Sequence, residues 1–162
     1  EGVKLIAASP ERAIVEIAGK RHTLTMSSDV RTDTEPAEVR RVQIAKSNGG
    51  MYMTTGAING IPVTMLVDTG ASTIAMNTAM AQRLGVAFRH VGTKMRVSTA
   101  NGSAVAWKVK LKSVKVGEVE RFNVDAAVIE GAATQEILLG MSFLSTVKMK
   151  EENNLLTLEA VF

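Results

Sequence analysis

The residues best placed to do chemistry lie in one run, Met65-Leu66-Val67-Asp68-Thr69-Gly70-Ala71-Ser72. Apolar residues carry a strand into a core, and a carboxylate follows at once. A carboxylate there is costly unless it is paired or hydrogen-bonded. Gly70 permits a tight backbone turn, and small Ala71 and Ser72 leave the carboxylate room. The run predicts a loop that presents Asp68 at the rim of a core. Taken alone, it is equally a strand-to-turn corner in which Asp68 accepts bonds from neighbouring backbone N–H groups.

Two further runs bear on the choice. Ile137-Leu138-Leu139-Gly140-Met141-Ser142-Phe143-Leu144 is an apolar strand that meets a glycine and continues as a short apolar helical turn. Between the two runs, Met95 to Trp107 reads as a β-hairpin with Ala100-Asn101-Gly102 at its tip, since Asn-Gly favours the tightest hairpin turns. A tip of small polar residues can bond a peptide backbone without selecting side chains. The competing reading is an ordinary surface hairpin, with Trp107 packing at its base.

Other chemistries lack their residues. Cysteine is absent, which excludes disulfides, thiolate metal sites and cysteine nucleophiles. His22 and His90 stand far apart with no carboxylates at ligand spacing, so neither a metal nor any other cofactor is expected. Ser72 and Ser142 have no histidine at motif spacing, and no glycine loop resembles a phosphate cradle. Nineteen Lys and Arg oppose sixteen Asp and Glu, giving a net charge of +3 that is scattered along the chain. The pair Arg40-Arg41 is too short an electrostatic footprint for nucleic acid.

The elements that must position these residues are mostly strands. Stretches rich in Val, Ile, Thr and Met alternate with turn residues. Residues 1–30 read as a small N-terminal β module, 31–41 as a linker containing Pro36, and 42–162 as the main domain. Within that domain strands are expected at 42–45, 51–58, 61–67, 94–100, 105–116, 122–129, 147–150 and 155–161. Asn59-Gly60 makes a hairpin between the second and third of these. Asn77 caps a helix over 78–84 that Gly85 ends.

The sequence Val67-Asp68-Thr69-Gly70-Ala71, followed much later by Leu138-Leu139-Gly140, resembles the retropepsin-like aspartic proteases over most of residues 51–162. The form with Ala71 in fourth place is similar to the retroviral type. The resemblance implies an all-β fold: a retropepsin-like closed β-barrel, the acid protease fold, with one or two short helices, here preceded by the small β module. It implies an aspartic endopeptidase that acts as a homodimer on a peptide or protein substrate. Asp68 of each chain would supply half of a catalytic dyad, Thr69, Gly70 and Ala71 would form the active-site loop, and Leu139 and Gly140 would support it. Ala100, Asn101 and Gly102 would form the flap over the substrate. A two-lobed pepsin would show the motif twice in a longer chain, and this chain shows it once. Retroviral members carry an acidic residue after Asp-Thr-Gly-Ala and an arginine after the later glycine. Ser72 and Met141 stand in those places, so a dimer without that ion pair, and a weak one, is expected.

The alternative is a catalytically silent module that keeps the fold for binding or scaffolding. No apolar run is long enough to span a membrane as a helix. The chain begins at Glu1, so an upstream signal peptide or membrane tether is expected, with a location in the periplasm or on the periplasmic face of the inner membrane.

Overall fold

The computed structural model describes residues 3–8, 12–17, 19–25, 39–99, 102–131 and 135–161. The chain divides into two compact units, residues 1–36 and 37–162. The first contains β1 (Lys4–Ala8), β2 (Arg12–Ile17) and β3 (Lys20–Thr25), paired in that order as an antiparallel sheet. Most of the expected linker lies outside the described residues. Its last three residues are strand, because β4 (Val39–Ala45) starts there and pairs with β13 (Leu155–Val161) through Val39↔Val161, Arg40↔Ala160 and Arg41↔Glu159.

The second unit is a closed ring of strands. β5 (Met53–Ile58) and β6 (Ile61–Val67) form a hairpin around Asn59 and Gly60, both at positive φ (51° and 80°), which is the turn their Asn-Gly sequence favours. β6 pairs in parallel with β11 (Ile137–Leu139), and β11 pairs antiparallel with β7 (Ile74–Asn77). β7 runs parallel to β10 (Val119–Ile129), β10 pairs along its length with β9 (Gly102–Val116), and β9 returns to β5. The ring β5-β6-β11-β7-β10-β9 therefore closes on itself, which removes the free edges an open sheet would expose. β8 (Thr93–Thr99) pairs with the N-terminal half of β9 and projects as a hairpin from the ring.

Alternation along β9 and β10 divides their side chains between two cores. Val109, Leu111, Ala126 and Val128 point into the main core with Met65, Ile74, Leu139 and Phe143. Ala106 and Ile129 belong to a smaller cluster with Ala75, against which Val97, Ala104 and Leu138 pack. Among the described residues, three short helices complete the unit: α1 (Thr78–Arg83), α2 (Phe88–Val91) and α3 (Met141–Leu144). Asn77 caps α1 by accepting the Met80 N–H at 2.8 Å. β7 and α2 were not expected from sequence. β7 is four residues long, and α2 has no side-chain cap. Among the described residues, no helix is long and apolar enough to cross a membrane.

β4, β13 and β12 (Lys148–Glu152) form a separate three-stranded sheet. A polar cluster ties it to the ring, beside the bridge between Lys46 and Tyr52. The Tyr52 hydroxyl donates to Glu151 Oε1 at 2.6 Å, and Lys46 Nζ lies 3.1 Å from the same oxygen. The Tyr52 bond first, and Lys46 second, hold the Glu151 carboxyl below the usual glutamate range. A depressed carboxyl adds stability above its unfolded-state pKa and loses it as pH falls through the lowered value. Glu151→Gln is therefore expected to lower the melting temperature near neutral pH. The gap to the native chain should close as pH falls below the carboxylate range, as thermal melts across that range would show. A gap unchanged at low pH would mean the charge at Glu151 contributes nothing.

Candidate active site

Asp68 stands at the end of β6, where the strand leaves the ring. The loop 68–73 joins β6 to β7, and β11 lies between those two strands. The loop must therefore pass over the C-terminal end of β11, and the residue beneath it is Gly140. A Cβ at position 140 would overlap the Thr73 carbonyl and sit 2.7 Å from the Ala71 carbonyl oxygen. Gly140 has φ −93°, which any residue can adopt, so the need for glycine is steric. This accounts for the pattern Leu138-Leu139-Gly140: Leu139 is fully buried in the main core, Leu138 faces the other way, and Gly140 lets the loop cross.

Two backbone hydrogen bonds and one bridging side chain hold the crossing. The Asp68 N–H donates to Leu139 O at 3.1 Å, and the Met141 N–H donates to Ala71 O at 2.8 Å. The bridging side chain is that of Ser142: its Oγ accepts the Ile74 N–H at 3.1 Å and donates to Asp125 O at 2.7 Å. Its hydroxyl thus bridges the start of β7 to β10, one residue before their ladder begins at Ile74↔Ala126. Sequence reasoning considered Ser142 only as a nucleophile. Its bridging role has no local signature, because both partners are backbone groups brought to it by the fold.

Within the loop, the Gly70 N–H donates to Asp68 Oδ1 at 2.8 Å. The carboxylate is half-buried, Thr69 and Gly70 are exposed, and Ala71 is half-buried. Asp68 opens onto a cleft of about 340 Å³, within the range of small-ligand sites. Ala75, Ala127, Ile129 and Leu138 give the cleft apolar walls, and Val97, Ser98 and Thr99 of β8 line it as well. Of these wall residues, Ala75, Ala127 and Ile129 were not singled out from sequence, whereas Leu138 and residues 97–99 lie in the runs read there. The walls come from four strands, and only the closed ring brings them together.

Of the expected flap residues, Ala100 and Asn101 lie outside the described residues. Gly102 is exposed with φ +109°, and its carbonyl accepts the Thr99 hydroxyl at 2.8 Å. The base of the hairpin is anchored by Trp107. Its ring meets Phe88 edge-on at 6.1 Å between centroids, and its indole N–H donates to Glu130 Oε1 at 2.8 Å. The short helix α2 thereby braces the hairpin. Ser72 is exposed and Met141 is half-buried, and neither is an ionisable group. Among the described residues, no cluster of three or more His, Asp and Glu could hold a metal ion.

Comparison with known proteins follows the same residues. The family model described as "gag-polyprotein putative aspartyl protease" matches residues 54–146. A crystal structure of a retropepsin-like aspartic protease from Rickettsia conorii superposes with a TM-score of 0.67 at 32% identity, covering 77% of this chain and 94% of that one. An uncharacterized protein from the cobV 5' region of a Sinorhizobium species is 38% identical over 118 residues, 73% of this chain and 50% of its own length. An uncharacterized protein of Rickettsia prowazekii is 36% identical over 112 residues, 68% of this chain and 47% of its own length. The chain thus spans about half the length of these two curated relatives.

Two substitutions test the crossing. Gly140→Ala is expected to destabilise the fold by at least about 1–3 kcal/mol, the usual cost of overpacking, because the clash is with backbone that cannot rotate away. Ser142→Ala leaves a backbone N–H and a carbonyl without their partner and should cost about 1–3 kcal/mol. Urea unfolding measures both. A Gly140→Ala chain as stable as the native one would show that the loop does not need the close approach.

Proposed function

Because the chain belongs to the retropepsin-like aspartic protease family, we propose that it is an aspartic endopeptidase whose active site forms between two copies, with Asp68 as the catalytic residue of each. The observation that carries this reading is the placement of the Asp68 carboxylate at the mouth of an apolar-walled cleft that a β-hairpin strand also lines. A structural strand-to-turn corner would account for the Gly70 bond, but not for the cleft in front of it.

Peptide hydrolysis needs a base to activate water and an acid to protonate the carbonyl oxygen and then the leaving nitrogen. One carboxylate cannot hold both protonation states at once. Two at close range share a single proton, because both cannot ionise together, and they titrate as a pair. The chain supplies one Asp-Thr-Gly, so a two-fold axis must bring in the partner subunit's Asp68. The ionised member takes a proton from water, which attacks the scissile carbonyl carbon. The protonated member gives its proton to the carbonyl oxygen. When the tetrahedral species collapses, the carbon–nitrogen bond breaks, the proton taken from water passes to the nitrogen, and a hydroxyl proton of the former carbonyl carbon returns to the other carboxylate, leaving a carboxylic acid and the dyad with its single proton.

The walls suggest what the substrate presents. Ala75, Ala127, Ile129 and Leu138 carry no polar side-chain atoms, so an apolar side chain in the cleft loses water without leaving a polar group unpaired. In the loop, Ala71 has no hydroxyl to donate to the carboxylate, and Asp68 Oδ1 accepts from the Gly70 amide. Fewer donors stabilise the ionised dyad less, so activity is expected at mildly rather than strongly acidic pH.

The test is a mixed peptide library incubated at high protein concentration across that pH range, with products read by mass spectrometry and oligomeric mass by sedimentation. The native chain is expected to cut and Asp68→Asn to lose at least about 10³-fold in rate, in line with removal of an essential group in other hydrolases. Equal cutting by both would assign the activity elsewhere. A folded chain that never cuts, or stays monomeric at high concentration, would favour a binding module. A rate maximum at strongly acidic pH would overturn the role given to Ala71.

A further inference from the structure

The apolar floor of the cleft does not end at its apolar residues. Cross-strand partners in a sheet share a face, and along a strand every second residue returns to it. On the β9–β10 ribbon the partners on one face are Ala106↔Ile129, Lys108↔Ala127 and Lys110↔Asp125. The alternate residues, Val109, Leu111, Ala126 and Val128, are buried in the main core on the opposite face. The surface that begins as cleft wall at Ile129 and Ala127 therefore continues, without changing face, into Lys108, Lys110 and Asp125.

That continuation is positively charged. Lys108 Nζ lies 3.3 Å from Asp125 Oδ2, and Lys110 Nζ lies 2.7 Å from Asp125 Oδ1. One carboxylate faces two ammonium groups, which leaves a net charge of +1. Each ammonium has three donors, so the ion pair with Asp125 does not exhaust them. Both lysine side chains are more than half exposed, at 54% and 65%. The acid beyond the apolar stretch, Glu130, is already engaged by the Trp107 indole and lies 3.9 Å from Arg89. Its carboxylate does not offset the lysines.

Building on the endopeptidase reading, we infer that Lys108, with Lys110, forms a charged subsite continuous with the cleft, which selects peptides carrying an acidic residue near the apolar one. Strands advance about 3.3 Å per residue, so Asp125 and Lys110 lie about 7 Å along the ribbon from Ala127, while Lys108 stands across from Ala127 and extends its ammonium to Asp125. An extended substrate laid along β10, as the subsite requires, advances at the same rate. A residue two positions from the side chain seated over Ala127 therefore reaches the ammonium groups. Asp125 fixes the two lysines in place and is itself held ionised by them, chiefly by Lys110. It acts as a positioning residue for this subsite.

Binding tests this apart from catalysis. Asp68→Asn chain is titrated with fluorescent peptides that share one central leucine and carry Glu, Gln or Lys two positions before it, two after it, or both. Glu peptides are expected to bind about three- to fivefold tighter than Gln peptides at low salt, the size of an exposed ion pair. The advantage should shrink as salt screens it. Lys108→Glu in the same chain should reverse the order, so that Lys peptides bind best. Lys110→Gln, a milder change, should reduce the preference, and thermal melts confirm that each variant is folded. Equal affinity for all three peptide sets would overturn the subsite, as would a preference that survives Lys108→Glu, or no peptide binding at all. A native chain that cuts nothing, while Asp68→Asn binds with this preference, would remove the endopeptidase reading and leave the subsite standing.

Discussion

The fold turns on one close approach, the passage of the Asp68 loop over the end of β11. A strand can lie between two others that are consecutive in sequence only if the chain joining them clears its end. Here the clearance is the absence of a Cβ at Gly140. Two backbone hydrogen bonds and the Ser142 hydroxyl fix the passage from both sides. Asp68 therefore owes its position to a strand about seventy residues away in sequence, and not to its own turn alone.

The same constraint explains the connection between β6 and β11. Parallel neighbours need a crossover, and a hairpin cannot supply one. The crossover contains α1, α2 and the strands β7 to β10. The projecting β8–β9 hairpin lies within this crossover. Its base is held by Trp107 between Phe88 and Glu130, which places Val97 to Thr99 on the cleft that Asp68 opens onto.

Stability and binding are divided between the two faces of the barrel strands. The main core takes the large side chains, among them Phe143, Leu139 and Met76, each with no exposed surface. The smaller cluster is built on Ala75, Ala106 and Ile129 and leaves a cleft where larger residues would have closed it. Filling that space would bury more apolar area and so favour the folded chain. The small residues keep it open. Further along the same face the lining changes from apolar to charged, because alternation carries one surface from Ile129 to Asp125.

Much of this was legible in the sequence because it rests on local physics. Asn59-Gly60 specified a hairpin through its tolerance of positive φ, Asn77 a helix start through its cap, and the runs around Asp68 and Gly140 a buried strand ending at a loop. Those two runs also carried the family resemblance. β7 escaped notice because Ile74-Ala75-Met76-Asn77 is short, buried on both faces and without alternation, so its apolar residues do not declare a strand. The cleft walls escaped because alanine at 75 and 127 has no chemistry of its own. The sequence alone determined which carboxylate leads out of a core and what turns surround it, since those depend on neighbours in the chain. Only the tertiary structure decided what that carboxylate faces, why residue 140 has no side chain, and what lies beside the cleft. Each of these depends on strands far apart in sequence meeting in one ring.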